Sequence, residues 1–306
     1  MATPREIRRR IRSVKNIAQV TRAMQMVAAA KMRRAQAQVL ASRPYSEKAL
    51  EVLRHLAAQR GAQAALHPLL THREEVNTIA LVLITSDKGL CGGYNANMLR
   101  VASRFILEAG KPVKIIAVGR KGAAFMARRG QDLAYEFSDL PPQPRLLDIT
   151  PVTRVVIQGF LRGDFDEVYL GYTQFISTLR QQPLIRRLLP LHPTNGENSL
   201  EILPSASQQV TPIQVGEFIY EPDPATILDA VLPRFTEIQI YQALLEALAS
   251  EHSARMVAMR SATDNANELL SELTLTYNRV RQDAITREML DIAGGVEAMR
   301  QAESAG

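Results

Sequence analysis

The sequence predicts an α/β protein of a particular build. Long N- and C-terminal helices form an antiparallel coiled coil, and a Rossmann-like α/β domain is inserted between them. Three observations lead there. Residues 4–59 and 224–293 contain no glycine. The two ends carry opposite charge, with 14 Lys/Arg against 3 Asp/Glu in residues 1–60 and 7 against 12 in residues 224–306. The stretch between them is balanced at 16 of each and switches to short apolar runs alternating with helical segments. The expected division is therefore a helix over 1–60, an α/β domain over 61–223 and a helix over 224–306.

Pro4 suits a first helical turn. Beyond it Ile7, Ile11, Val14, Ile17, Val20, Met24 and Val27 recur at steps of three and four, which defines one apolar stripe. Ala28, Ala29 and Ala30 thin the helix where a partner backbone can approach. Pro44 removes a hydrogen bond and crowds the preceding turn, so a kink is expected near Ser42–Arg43. Residues 61–77 read as a loop. The unbroken run Ile79–Ile84 is then the pattern of a strand buried on both faces. The glycine-rich segment Asp87–Gly93 leads into a helix that ends near Ala109.

A second strand is expected at Val113–Val118, a helix at 121–129 and a third strand near Asp132–Phe137. Prolines 141, 142 and 144 break the chain. A helix over about 150–162, a strand at Glu167–Thr173 and a basic helix at about Phe175–Leu189 follow. This alternation indicates a small α/β sheet domain. Residues 191–223 are polar, with an edge strand expected at Phe218–Tyr220. Asp223 and Pro224 supply an N-cap and a first-turn proline. In the last helix Leu270, Leu273, Tyr277, Val280 and Ala284 form one phase of a seam. Ile285, Met289, Ile292, Val296 and Met299 form a second, shifted by one residue. The last turns are expected to project as a single helix. Pro233 predicts a short first helix or a kink.

Composition removes several function classes. The longest apolar run, Ile79–Ile84, is far short of the roughly 20 residues that cross a bilayer. The N-terminus, rich in arginine from Arg5 to Arg12, runs straight into an amphipathic helix and reads as mature structure. A single cysteine, Cys91, rules out an intrachain disulfide and fits a reducing compartment. The histidines (55, 67, 72, 192 and 252) do not fall at metal-ligand spacing. Cys91 has no histidine at hand to make it a nucleophile.

The loop Asp87-Lys88-Gly89-Leu90-Cys91-Gly92-Gly93 lies after a strand and before a helix, where phosphates are often held. It matches no nucleotide-binding fingerprint, and Lys88 precedes the glycines. A tight turn is the plainer reading, for it and for Gly119-Arg120-Lys121-Gly122. The basic run Arg8, Arg9, Arg10, Arg12 and Lys15 leaves three readings open: a solvated face, contact with nucleic-acid phosphates, or contact with an acidic protein collar. No aromatic residue interleaves it to stack on bases.

Three dense blocks carry a resemblance across nearly the whole chain. They are Arg5–Arg8 with Ala23–Arg34 (AMQMVAAAKMRR), Ser86–Asn95 (SDKGLCGGYN), and Ser250–Ala266 (SEHSARMVAMRSATDNA) with Ala284–Gly295 (AITREMLDIAGG). In this order and at these spacings the chain resembles the gamma subunit of F-type ATP synthase. The resemblance implies a central rotary stalk, present once per complex, whose partners are the alpha and beta subunits of a hexamer, the epsilon subunit and the membrane c-ring. It implies rotation driven by proton flow and coupled to ATP synthesis or hydrolysis, with the catalytic sites on the beta subunits. This chain would then have no catalytic residue, cofactor or metal of its own. No nucleic acid and no membrane insertion are implied; the expected place is the cytoplasmic face of a bacterial plasma membrane.

Carried over by motif position, Arg8, Arg9, Arg22, Ala23 and Met24 belong to the basic helix that meets the beta subunits' acidic lever. Arg255 and Arg260 would reach beta loops lower down. Arg281, Gln282, Thr286 and Glu288 fall in the block tied to coupling and assembly. Ile292, Val296 and Met299 would form the apolar tip turning in the hexamer's sleeve. The plastid version of the family carries an inserted cysteine pair; with Cys91 alone, that redox switch is excluded. The residues by themselves also support a nucleotide-binding α/β protein with a coiled-coil arm, or a basic coiled coil that binds nucleic acid.

Overall fold

The computed structural model describes residues 3–59, 67–73, 75–191 and 224–304. Within them the order is α1 (Pro4–Gln59), β1 (Ile79–Ile84), α2 (Tyr94–Glu108), β2 (Val113–Val118), α3 (Arg120–Arg128), β3 (Leu133–Phe137), α4 (Leu146–Arg162), β4 (Glu167–Phe175), β5 (Gln181–Leu189) and α5 (Pro224–Ser304). The chain falls into two compact units, residues 1–27 with 256–306, and residues 28–255.

The larger unit is built on a five-stranded sheet of order β3-β2-β1-β4-β5. β1 pairs in parallel with both β2 and β4, β2 in parallel with β3, and β4 antiparallel with β5. The apolar run of β1 is explained by its central place. Ala80, Val82 and Ile84 face a core shared with α4 and α5, through Ile149, Val156, Phe160, Leu232 and Phe235. Ile79, Leu81 and Leu83 face the opposite core with Met98 and Ala102 of α2 and Met126 of α3. Successive side chains of a strand point to opposite faces, so a strand covered on both sides has no polar position to spare.

One expectation is overturned. Residues 175–189 form no basic helix; β4 runs to Phe175 and returns as β5. The turn is closed by Arg180 N–H to Ser177 O and Ile176 N–H to Arg180 O. Leucine, glutamine and arginine are good helix formers, and that propensity misled. Pro183 belongs on an edge strand, and Arg186 and Arg187 add charge to that edge.

α1 runs as one helix through Pro44 and α5 through Pro233, so the short first helix that Pro233 allowed does not form. The carbonyls orphaned four residues earlier belong to Leu40 and Asp229. Both residues are exposed, so water can satisfy them. α4 begins at Leu146, earlier than expected, with Pro151 in its second turn. Asp148 accepts from Arg145 N–H at 2.7 Å to cap it. The edge strand expected at Phe218–Tyr220, the Asp223 cap and His192 lie outside the described residues.

The entry to β1 is pinned by a carboxylate. Asp166, just before β4, accepts from Arg73 Nη1 at 2.6 Å, Asn77 N–H at 2.8 Å and Thr78 N–H at 3.0 Å. Burial by itself would raise its pKa, but the hydrogen bonds from Thr78, Arg73 and Asn77 outweigh that and hold it below the ordinary value. A depressed folded pKa means stability that is present above the unfolded pKa and is lost as pH falls through the folded one. Asp166→Ala is expected to lose about 3 kcal/mol at neutral pH. The deficit should shrink on acidification, as urea melts at pH 7 and at pH 3 would report. An equal deficit at both would mean the charge contributes nothing.

In the smaller unit the two helix segments pair antiparallel. Arg8 donates to the Tyr277 hydroxyl and lies over its ring, while the hydroxyls of Thr21 and Thr263 meet at 2.7 Å. The covered positions of α1 are Ile7, Ile11, Val14, Ala18 and Thr21. Those of α5 include Met259, Thr263, Ala266, Leu270, Leu273, Tyr277 and Val280. Both series alternate steps of four and three, the seam of a left-handed coiled coil. The expected stripe is covered at Ile7, Ile11, Val14 and Met24, whereas Ile17, Val20 and Val27 are more than half exposed. The true seam continues through alanine and threonine, which bring the backbones close.

Candidate functional site: the stalk surface and the glycine loop

The glycine loop after β1 is built as an internal anchor. Thr85, Ser86 and Asp87 cap the N-terminus of α3. Arg120 N–H donates to Asp87 Oδ1 at 3.0 Å, Lys121 N–H to Ser86 O at 3.1 Å and Gly122 N–H to Thr85 Oγ1 at 2.9 Å. The amides that would greet a phosphate at this helix end are thus taken up by the chain itself, with the Asp87 carboxylate in the anion's place. Asp87 Oδ2 also accepts from Asp139 N–H, and Arg120 bridges to the Asp139 carboxylate. Inside the loop, Ser86 N–H donates to Asn95 Oδ1, and Asn95 Nδ2 donates to Ser86 Oγ and the Cys91 sulfur. Cys91 is buried. No histidine partners it, in keeping with a structural thiol. Among the described residues no group of His, Cys, Asp and Glu is placed to hold a metal.

The loop turns its carbonyls toward Arg255. Its Nη2 donates to Gly89 O at 3.2 Å and Lys88 O at 3.4 Å, while Nη1 donates to Glu251 Oε1 at 2.6 Å. The Arg255 side chain is 12% exposed. Sequence position suggested a reach outward; both terminal nitrogens of the guanidinium are bonded inside the chain. Burial raises the pKa of Glu251, and Arg255 pulls it back. His252 beside them is pushed down to about 4, first by burial and then by the charges of Arg255 and Lys31. Its Nδ1 faces Arg255 Nη1 at 3.3 Å. An arginine only donates, so Nδ1 accepts and the ring proton sits on Nε2.

The other sequence-selected residues lie on the surface of the stalk helices. Arg8, Arg9, Arg22 and Ala23 are exposed and Met24 is half-buried. Arg8 is tied to Tyr277, so only part of its charge faces outward. Arg260, Arg281, Gln282, Thr286 and Glu288 are exposed. Ile292 and Val296 are about two-thirds exposed, at 63% and 60%. Met299 lies on α5, but its side chain is outside the described residues. From Arg281 to Val296 every residue is exposed, so the second phase of the expected seam has no partner among the described residues. The sequence reading missed further apolar exposures, among them Met26 on α1 and Leu275 and Leu290 on α5. Their signal was available, since each is a large apolar residue just off the seam.

An α/β unit on a mostly parallel sheet and an antiparallel helical pair with apolar side chains outside its seam define the class of protein. The profile of the ATP synthase family matches residues 3–299. The ATP synthase gamma chain of Dehalococcoides mccartyi strain CBDB1 is 50% identical over 299 residues, 98% of this chain and all of that one. The gamma chain of Roseiflexus castenholzii is also 50% identical, over 98% of this chain and all of that one. The chain belongs to the ATP synthase gamma chain family. In fold it resembles a chain of the Euglena gracilis mitochondrial ATP synthase (TM-score 0.66, 19% identity), covering 99% of this chain and 96% of that one. It also resembles one of the Tetrahymena thermophila central stalk and c-ring structure (TM-score 0.58, 24% identity), covering 79% and 99%.

Proposed function

We propose that this chain is the rotating central stalk of a proton-driven ATP synthase, without catalytic residues of its own. The observation that carries the reading is a helical stalk with apolar side chains left outside its seam, on a chain of the gamma family. Residues 1–60 and 224–306 would supply the shaft and residues 61–223 the foot. Alpha and beta subunits would surround the shaft, while epsilon and the c-ring would hold the foot at the cytoplasmic face of a bacterial membrane. No helix among the described residues is long and apolar enough to cross that membrane.

Coupling by a shaft requires different contacts with each state of its neighbours. The basic face at Arg9, Arg22 and Ala23 suits an acidic lever. Apolar side chains at Ile292 and Val296, with Met299, give contact without directional bonds that would lock one orientation. Arg260, Arg281, Gln282, Thr286 and Glu288 present the polar contacts that tune coupling. Arg255 holds the foot together instead. The nucleotide-binding alternative is weakened at the α3 end, whose first amides are taken up by Asp87, Ser86 and Thr85.

Co-expression with alpha and beta subunits of the same source tests the reading. A complex of three alpha, three beta and one copy of this chain, whose steady ATP hydrolysis depends on the chain, is expected. Omitting residues 285–306 should weaken retention in the complex. A chain that stays outside it, with hydrolysis unchanged, would sink the proposal.

A further inference from the structure

The larger unit contains a cleft of about 230 Å³ at the C-terminal ends of the parallel strands. Thr85, Gly119 and Phe137, which end or follow β1, β2 and β3, stand on one side; Leu244, Leu248 and His252 of α5 stand on the other. In open parallel sheets this is the end where ligands settle. Its wall has two halves. Phe137, Leu140, Pro141, Pro142, Leu244 and Leu248 form an apolar surface. The remainder is charged, and the charges are unequally used.

Every acid in that wall is already engaged. Asp87 caps α3 and accepts from Asp139 N–H, Asp139 pairs with Arg120, and Glu251 pairs with Arg255. Lys31 and Lys88 also line the cleft, and neither forms an ion pair among the described residues. Lys31 is near enough to Glu251 and His252 to act on both electrostatically. The neutral His252 adds an Nε2–H donor for which no partner is found among the described residues. Two ammonium groups free of ion pairs among the described residues, beside an apolar wall, make an amphiphilic cavity.

We propose that this cleft binds a compact organic anion, with its phosphate or carboxylate held between Lys31 and Lys88 and its apolar body against Leu244, Leu248 and Phe137. The volume suits a ligand of roughly ten non-hydrogen atoms, less than a nucleoside triphosphate needs. Recognition uses the Lys31 and Lys88 side chains, which line the cleft. The inference stands apart from the rotary reading and survives its failure.

Phenyl phosphate, inorganic phosphate and benzyl alcohol are the probes, titrated against the full chain by calorimetry and thermal melting. Phenyl phosphate should saturate below about 10 mM and bind about tenfold more tightly than either fragment. Lys31→Gln with Lys88→Gln should weaken it at least about tenfold. The melting temperature of the ligand-free protein should change little, because neither lysine forms an ion pair among the described residues. Inorganic phosphate binding as tightly as phenyl phosphate would overturn the proposal. So would a double variant that binds like the parent, or the absence of saturation.

Discussion

Gly119→Ala is expected to cost about 4 kcal/mol, a large share of a domain's ~5–15 kcal/mol. Gly119 follows β2 with φ of +108°, a conformation that L side chains rarely adopt. A Cβ there would lie 2.2 Å from Thr85 O and 2.8 Å from Thr85 C, both backbone atoms. They cannot move aside, because Thr85 N–H bonds Val118 O and Gly119 N–H bonds Phe137 O, at 2.8 Å each. The backbone strain contributes ~1–3 kcal/mol and the overlap a similar amount. Gly122→Ala is the control. Its Cβ would meet mainly the Thr85 side chain, with Oγ1 at 2.7 Å. That hydroxyl can rotate away at the loss of its bond to Gly122 N–H, so a loss of about 1–2 kcal/mol is expected. Urea midpoints with unchanged slopes measure both. Equal, small losses would show that the approach of β1 to the α3 turn is looser than the distances imply.

Much of the architecture was legible because it rests on strong periodicities. β1 and β2 are found at the residues their apolar runs mark, since strands covered on both faces are almost wholly apolar, with Lys114 near the start of β2 the one polar residue. The α5 seam from Leu270 to Val280 was likewise visible, because large apolar residues alternate there by three and four. The seam of α1 was visible only to Val14. Beyond it the seam positions are buried Ala18 and half-buried Thr21, which carry little hydrophobic signal, while Ile17, Val20 and Val27 carry a strong one on the outer face. A stalk whose outer surface is also apolar defeats a rule that assigns apolar residues to the inside.

The β4–β5 hairpin was hidden for a different reason. Its second strand is an edge, rich in arginine, glutamine and leucine, and tertiary pairing with β4 overrides the local preference. At the glycine loop, sequence reading weighed Lys88 and the glycines and passed over Asp87. No spacing rule links Asp87 to the amide of Arg120, because only the fold brings the β1 and β2 ends together. Arg255 was selected for its place in a motif, and its partners, the carbonyls of Lys88 and Gly89, are far away in sequence and carry no side-chain signal at all.

Arg255→Ala is expected to destabilise the larger unit by about 3–5 kcal/mol at pH 8, because it strands a carboxylate inside the protein. The Glu251 and Arg255 side chains are 11% and 12% exposed, so water replaces the guanidinium poorly. Two loop carbonyls lose their donor as well. The pH dependence identifies the cause. Burial already holds the Glu251 pKa above its ordinary value against the pull of Arg255, and nearby Asp87 pushes the same way as burial while Lys31 opposes it. Without Arg255 the folded pKa rises further. A group whose folded pKa is raised is most favourable to the fold below its unfolded pKa, and that contribution is lost as pH rises through the folded value. The deficit relative to the parent should therefore be largest at alkaline pH and shrink towards pH 5, where the stranded acid takes up a proton. Arg255→Met combined with Glu251→Gln should recover part of the loss, since neither replacement leaves a buried charge. Arg255→Lys should recover less than full stability, because a single ammonium cannot span the Glu251 carboxylate and both carbonyls. A deficit that is flat from pH 5 to pH 8, with no recovery in the double variant, would mean that the loop contacts and not the ion pair hold this junction.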